Sequence, residues 1–365
     1  MGCFARGIDS VTNRFGVYLH VPFCAARCDY CAFATWTDRH HVQQAYLDAC
    51  RADVERHVAA GMPAATSVFV GGGTPSLVNP RELVSLLDAV PRAPGCEVTV
   101  ECNPDTVTAE LVDVYARGGV NRISLGVQSM VDHVLVSLGR THDPANVRRA
   151  VDLVRGAAIP TLNLDVIYGA VGESLDDWRR TLEEVLALDP PHVSAYALTV
   201  EPGTPLADDA ARHPDDDDQA EKYLATAETL EGAGLAWYEI SNWARPGHEC
   251  RHNQLYWSMG EYQAFGCAGH SHRDGRRFWN VRTPERYIEA VRAGQSTEAA
   301  GERLDPEERR LEALQLAVRT RDGVSATSLP VDELDGLVDV DTRQHRAVLT
   351  VRGRLLANEV ALRLR

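Results

Sequence analysis

The sequence predicts an α/β fold, a partial TIM-like barrel of about six βα units, followed by a C-terminal α+β module. Two observations predict it. From residue 16 onward, short β-branched and apolar runs alternate with longer stretches of helical period, as parallel strands joined by crossover helices do. Polar and glycine-rich residues then gather at or just beyond the C-terminal ends of those runs: His20 and the cysteines after it, residues 71–75, residues 101–104, Gln128 and Asp165. An open doubly wound sheet would share the first observation. The second favours a barrel, which collects all the strand ends on one face and builds its site there.

The first strand is read at 16–21, with a helix at 42–60. Four further units follow in the same sense, with strands at 67–70, 97–101, 121–126 and 161–168 and helices at 81–90, 109–118, 144–156 and 175–188. A sixth strand, 192–198, ends the series. The pattern changes after Leu206. The run Asp215 to Asp218 reads as a solvated loop with acidic residues at a helix N-terminus, followed by a helix at 223–232 and a strand at 237–240. Residues 241–280 are rich in Trp, His and Gly. The last stretch returns to helical period and ends in a strand pair around 337–340 and 347–350 and a helix at 353–362, a winged-helix-like arrangement. The expected organisation is a barrel core over 1–240, a His/Trp-rich segment over 241–300 and a winged-helix-like domain over 301–365.

A net charge of -15 disfavours a dedicated binder of nucleic acid or anionic membrane, which would use an excess of Lys and Arg. In the C-terminal module the two signs nearly cancel, so a structural or docking role is expected there rather than DNA binding. No run of about 18 apolar residues occurs, and residues 1–13 lack the layout of a secretory signal, so a cytoplasmic protein with no membrane anchor of its own is expected. Among 37 basic residues Lys222 alone is a lysine, a bias attributed to genome composition and to no function.

The cysteines carry the chemistry. There are 9, an odd number, and Cys24, Cys28 and Cys31 fall together while the others are scattered, which argues for a metal or redox site over a disulfide framework. Spacings of four and three place three thiolates on one loop, able to hold three corners of an iron–sulfur cubane and leave one iron open. A zinc site using these thiolates with His20 or His40 is the alternative. The run Gly71-Gly72-Gly73-Thr74-Pro75 follows the second strand; no Gly-Lys-Ser/Thr succeeds it, which counts against a phosphate loop.

The cysteine triplet directly after a first strand, with Tyr30 before its last cysteine, resembles the radical S-adenosylmethionine superfamily. More narrowly, residues 18–24, the Gly-Gly-Gly-Thr-Pro run, Glu101-Cys102-Asn103-Pro104, residues 124–129 and residues 163–169 are similar to the branch that contains oxygen-independent coproporphyrinogen III oxidase and its haem-chaperone relative. The resemblance implies a 4Fe-4S cluster on Cys24, Cys28 and Cys31, with S-adenosylmethionine chelating the open iron. It also implies contacts to one or two S-adenosylmethionine molecules from Tyr18, Gly72, Gly73, Thr74, Glu101, Gln128, Arg140 and Asp165. The chemistry of these groups fits: Glu101 and Asp165 can accept hydrogen bonds from ribose hydroxyls or an amino group, and Arg140 can pair with a carboxylate.

Two departures weaken the oxidase branch. Its further cysteine, two residues after the triplet, is Phe33 here, and only 15 residues precede the first strand. The chaperone pattern His-Asn-x-x-Tyr-Trp is present at His252-Asn253-Gln254-Leu255-Tyr256-Trp257. By resemblance, His252 would ligate haem iron and Tyr256 and Trp257 would cover the macrocycle. Trp243, Cys250, Cys267, His270 and His272 are alternates. Gly266-Cys267-Ala268-Gly269-His270 departs from the family's usual Gly-x-Gly-Ala-His, which bears on the shape of the pocket. The expected function is transfer of haem to an acceptor protein, with an electron donor for the cluster and haem held within one chain or between two copies. The alternative is oxidative decarboxylation of coproporphyrinogen III. A radical enzyme acting on RNA is disfavoured by the acidic charge.

Overall fold

The computed structural model describes residues 14–140 and 143–364. Residues 1–13, with Cys3 and the reading of an absent secretory signal, lie outside the described residues. The predicted series of strands and helices forms. It runs β1 (Phe15–Val21), α1 (Gln43–Ala59), β2 (Ala65–Gly72), α2 (Pro80–Asp88), β3 (Arg92–Cys102), α3 (Ala109–Arg117) and β4 (Arg122–Gln128). Then come a short helix the sequence pattern did not reveal, α4 (Asp132–Ser137), and α5 (Pro144–Gly156), β5 (Thr161–Tyr168), α6 (Leu175–Ala187) and β6 (His192–Ala197). Strands β1 to β6 pair in parallel and in chain order, the arrangement of a partial barrel.

Local chemistry starts the crossover helices where they are needed. The Asn79 side chain accepts from Arg81 N with Pro80 at the first helical position, Thr108 accepts from Leu111 N, and Ser174 forms a capping box with Asp177. Each satisfies backbone donors that a helix start leaves free.

Helix α7 (Asp216–Gly232) begins earlier than the helix expected at 223, because Asp215 caps it by accepting from Asp218 N. Its first turn carries Asp216, Asp217 and Asp218, where negative charge meets the positive end of the helix dipole.

Segment 241–300 does not stand apart from the barrel. After β7 (Ala236–Glu239), β8 (Asn242–Ala244) pairs antiparallel with β6 at one edge. Helix α8 (Arg251–Trp257) follows, and β9 (Glu261–Phe265) returns parallel to β1 at the other edge. Strands β10 (His270–Arg273) and β11 (Arg276–Asn280), then, beyond α9 (Pro284–Arg292), β12 (Glu298–Arg303) extend the sheet to 12 strands.

Side chains alternate along these strands, so one face of the sheet meets the helices and the other faces the concave interior, the lumen. Val17, Leu19 and Val21 of β1, Ile123 and Leu125 of β4 and Leu162, Leu164 and Val166 of β5 are buried in the large core with the helices. Their neighbours in sequence, such as Tyr18, His20, Ser124, Asn163 and Asp165, share the opposite face. The parallel strands are therefore apolar outward and polar inward, unlike strands covered by helices on both faces.

The C-terminal module consists of α10 (Pro306–Ala317), a three-stranded antiparallel sheet of β13 (Val324–Ser325), β14 (Val338–Asp341) and β15 (Arg346–Leu349), and short helices α11 (Val351–Leu355) and α12 (Ala357–Ala361). It has a small core around Val318, Leu334, Leu349 and Val360. It docks on the barrel through Arg354, which pairs with Glu231 at 2.8 Å and lies 3.8 Å over the Trp237 ring. Among the described residues, no helix is long and apolar enough to cross a membrane.

Candidate functional site

The loop from Phe23 to Trp36 leaves β1 at its C-terminal end and carries Cys24, Cys28 and Cys31, all half-buried and none in a disulfide. The loop is closed by Trp36 N to Pro22 O at 2.7 Å and Cys24 N to Trp36 O at 3.1 Å. The Gly-rich run after β2 zips onto its base: Gly73 N donates to Val21 O at 2.8 Å and Thr74 N to Phe23 O at 2.8 Å. A Cβ on Gly73 would stand 2.7 Å from Phe23 O and 2.8 Å from Val21 O, so only glycine allows this approach. Gly72, at φ 110°, lies so close to the His20 imidazole that a Cβ would fall 2.4 Å from it. The glycines thus hold the base of the cysteine loop, a role the sequence reading had not assigned them.

Two side chains from outside the loop reach the thiols. Arg140 Nη1 donates to Cys28 Sγ at 3.4 Å while its Nη2 donates to Gly126 O at 3.1 Å, and Thr74 Oγ1 stands 3.7 Å from Cys24 Sγ. Burial pushes the Cys24 and Cys31 thiols up, with the other thiols of the loop adding to the effect, so the three sit within reach of one another's charge. Among the described residues, no three His, Cys, Asp or Glu side chains converge as they would around one ion. His20 is also engaged elsewhere, with Nε2 2.9 Å from Ala34 O and Nδ1 3.2 Å from Tyr18 OH. His20 is therefore already engaged away from the thiols, which counts against its serving as a fourth ligand beside the three cysteines.

A second fastening was not visible in the sequence. Arg212 Nη2 pairs with Asp29 Oδ2 at 2.8 Å and donates to Ser137 O at 2.7 Å, and Leu206 N donates to Asp29 O at 3.0 Å. The segment after β6 is strapped across the cysteine loop. Asp29 and Arg212 are 183 residues apart, with no spacing signal to link them.

Beside the loop, the inward residues of β3 to β5 form a carboxylate shelf. Glu101 Oε2 accepts from Gly72 N at 3.1 Å, and burial, with the nearby Asp165 charge, raises its carboxyl to about 7. Asp165 accepts from Ser124 Oγ at 2.8 Å and Asn163 Nδ2 at 2.7 Å; burial raises it too, against these hydrogen bonds. Gln128 follows at a register shift between β4 and β5 with φ 64°, and its Nε2 lies beside Gly126, as does Arg140. Tyr18, Glu101, Gln128, Arg140 and Asp165 therefore share one mouth with the cysteine loop.

His252 lies on α8. Glu97 accepts from the backbone N–H groups of Arg251 and His252, each at 3.1 Å, and so seats α8 inside the lumen against β1 and β2. The His252 ring is fully buried, stacked on Phe69 with centroids 5.4 Å apart. Its Nδ1 is 2.9 Å from Ser67 Oγ and its Nε2 2.8 Å from Tyr256 OH. Burial lowers its pKa to about 3, so the ring is neutral. Both ring nitrogens are hydrogen-bonded in this arrangement, so ligation of haem iron by His252 would exchange one of these hydrogen bonds for the metal. Trp257 is half-buried and donates to Glu239. Cys250, Cys267 and Trp243 are buried, and His272 Nδ1 is 3.0 Å from Gly260 O.

A partial barrel with three cysteines on the loop after its first strand defines a radical S-adenosylmethionine protein, and residues 18–185 match the Radical SAM superfamily. The E. coli coproporphyrinogen III oxidase (HemN) structure superposes with a TM-score of 0.82 at 20% identity, over 97% of this chain and 90% of that one, a likeness of fold. The chain belongs to the family of the heme chaperone HemW. It is 41% identical to the Mycobacterium tuberculosis heme chaperone HemW over 95% of this chain and 93% of that protein. It is 37% identical to the Escherichia coli heme chaperone HemW over 77% of this chain and 79% of that protein.

Proposed function

We propose that this protein is a haem chaperone of the cytoplasm that carries a 4Fe-4S cluster on Cys24, Cys28 and Cys31, binds S-adenosylmethionine beside it and passes haem to an acceptor protein. Similarity to HemW along nearly the whole chain supports haem as the cargo. The contact of Arg140 with Cys28, on a loop of three uncrosslinked thiols at the barrel mouth, is the observation that carries the cluster assignment. When bound, the cluster supplies one-electron chemistry at an iron open to S-adenosylmethionine.

The chain's own residues do the rest. Arg140 offsets thiolate charge at Cys28. Gly72, Gly73 and Thr74 hold the loop so that its cysteines face the mouth. Glu101 and Asp165 present carboxyl oxygens at the level of the loop, suited to ribose hydroxyls or an amino group, with Tyr18 and Gln128 beside them. The 301–365 module, docked at the barrel edge, offers the surface for the acceptor. Phe33, 68% exposed where the oxidase pattern has its further cysteine, supports the chaperone over the oxidase reading.

The test is anaerobic reconstitution followed by haem titration at the Soret band. In parallel, the protein is given reductant, S-adenosylmethionine and coproporphyrinogen III. Stoichiometric haem binding is expected without protoporphyrinogen formation; turnover of the porphyrinogen would overturn the reading. Cys28→Ala is expected to lose the cluster's absorption.

A further inference from the structure

We propose that the cleft at the N-terminal ends of β4 and β5, at the opposite end of the barrel from the cysteine loop, binds a small monocarboxylate, with the Arg122 guanidinium as its anchor and His248 as a second donor. The site is separate from the cluster and from haem.

The cleft has a volume of about 330 Å³, at the lower end of the range for small-molecule sites. One wall is formed by the starts of β4 and β5, through Asn121, Arg122 and Thr161. The other comes from the loop after β8 and the first residue of α8, through His248, Glu249 and Arg251. Arg122 lies two residues before Ser124 and so shares the inward face of β4, where it is only 3% exposed. Gln128, at the mouth, ends the same strand, about 20 Å away along the chain.

Among the described residues, the Arg122 side chain makes no hydrogen bond and no ion pair, and its Nε is buried without a partner. Thr99 Oγ1, on its register partner in β3, is also buried without one. The acceptors around Arg122 are already in use. Glu97 Oε1 accepts from His252 N and its Oε2 from Arg251 N, each at 3.1 Å. Asn121 Oδ1 accepts from Val98 N at 2.8 Å, and both ring nitrogens of His192 are bound, to Asn163 and to Tyr238. The two carboxylates of the cleft also have their own cations: Arg251 Nε stands 3.8 Å from Glu97 and Arg321 2.8 Å from Glu249. The charge of Arg122 is the one left over.

A buried cation with no counter-charge is strongly unfavourable. Water can fill its hydrogen bonds but leaves the charge, whereas a carboxylate meets both needs, because its two oxygens match the guanidinium fork. His248, half-buried on the facing wall, adds a donor. Its Nδ1 is 3.0 Å from Thr161 Oγ1. With the hydroxyl donating to Nδ1, the proton sits on Nε2, which is free to donate to the ligand. One negative charge balances Arg122, while Glu97 and Glu249 in the walls disfavour a dianion such as phosphate.

The test uses the full chain, carbon-13-labelled acetate as the probe in chloride buffer near neutral pH, and broadening of the acetate resonance as the readout. Saturable binding at one site per chain is expected. Arg122→Met is expected to weaken it about tenfold or more. Because Arg122 is buried, a second variant, His248→Gln, changes a side chain of the cleft wall and is expected to keep native circular dichroism while weakening binding severalfold. No saturable binding by the native chain overturns the proposal and leaves the cleft to water. Undiminished binding in His248→Gln, or in Arg122→Met that remains folded, overturns it by placing the acetate elsewhere. Inorganic phosphate binding more tightly than acetate overturns the class of ligand.

Discussion

The guanidinium of Arg140 bridges the Cys28 Sγ, 3.4 Å away, and the carbonyl oxygen of Gly126, 3.1 Å away. A cation from the loop after α4 thereby meets a thiol 112 residues earlier in the chain. A positive charge beside a cluster ligand favours the reduced, more negative cluster. Arg140→Met is expected to keep the cluster's absorption and to lower its midpoint potential by on the order of tens of millivolts. Potentiometric titration of the reconstituted protein checks this, and an unchanged potential would show that the contact carries no electrostatic weight.

Gly73 tests the base of the loop. Its missing Cβ leaves room for backbone atoms of Val21 and Phe23 at 2.7–2.9 Å, which cannot rotate away as a side-chain tip can. Gly73→Ala is expected to reduce stability by about 1–3 kcal/mol through overpacking and to lower iron retained per chain. Urea unfolding and iron analysis measure the two effects. Gly232→Ala, at a glycine that like Gly73 has no positive φ but whose new Cβ would meet no atom within 4 Å beyond the backbone of its own helix, reports the effect of the methyl group without a clash.

Lys222, the one lysine, is fully buried. Its Nζ sits 2.6 Å from Asp218 Oδ2 and 3.3 Å from Glu173 Oε2 and donates to Glu173 O at 2.7 Å. Removing the cation would leave Glu173 buried without its counter-charge. Lys222→Met is expected to destabilise by about 3–5 kcal/mol. In the folded protein an amine-reactive label is expected to modify no side chain; rapid labelling of Lys222 would contradict its burial.

Asp53 and His57 set a pH window. Burial alone would raise Asp53, but hydrogen bonds from His57 and Tyr287 and the Arg56 charge hold it below the usual carboxylate value. The hydrogen bond to Asp53 raises His57 against its partial burial. The Asp53 contribution is present above its unfolded pKa and lost as pH falls through its lower folded value. The His57 contribution is present below its unfolded pKa and lost as pH rises through its higher folded value. The pair stabilises most between about 4 and 6.5, the ordinary values of the two groups. His57→Gln is expected to flatten the stability profile near neutrality in denaturation series across pH, while Tyr287 and Arg56 continue to hold Asp53.

The fold was largely legible because its signals are local. The second to fifth βα units each have a strand-length apolar run, a capping side chain (Asn79, Thr108, Asp143 or Ser174) and a helix of matching period, all within about 35 residues. The site was legible where residues lie on one loop, as Cys24, Cys28 and Cys31 do, or at the end of a strand, as Glu101 and Asp165 do. It was not legible where partners meet across the barrel. Nothing near Asp29 announces Arg212, and nothing near Ser67 announces His252. One unread signal was present: inward residues such as Tyr18, Asn163 and Asp165 recur every second position in strands that would otherwise be wholly apolar.

The residues alone determined the order of strands and helices, the thiol loop and the superfamily to which it belongs, since periodicity, capping and ligand spacing act over short stretches of chain. Tertiary structure decided which face each motif presents. His252 and His270 are both histidines in an aromatic stretch, yet closing the sheet through β9 buries the first under hydrogen bonds and leaves the second open at the rim. Strand register and helix seating assign those faces, and they depend on contacts between segments as far apart as Glu97 and Arg251, which no local pattern encodes.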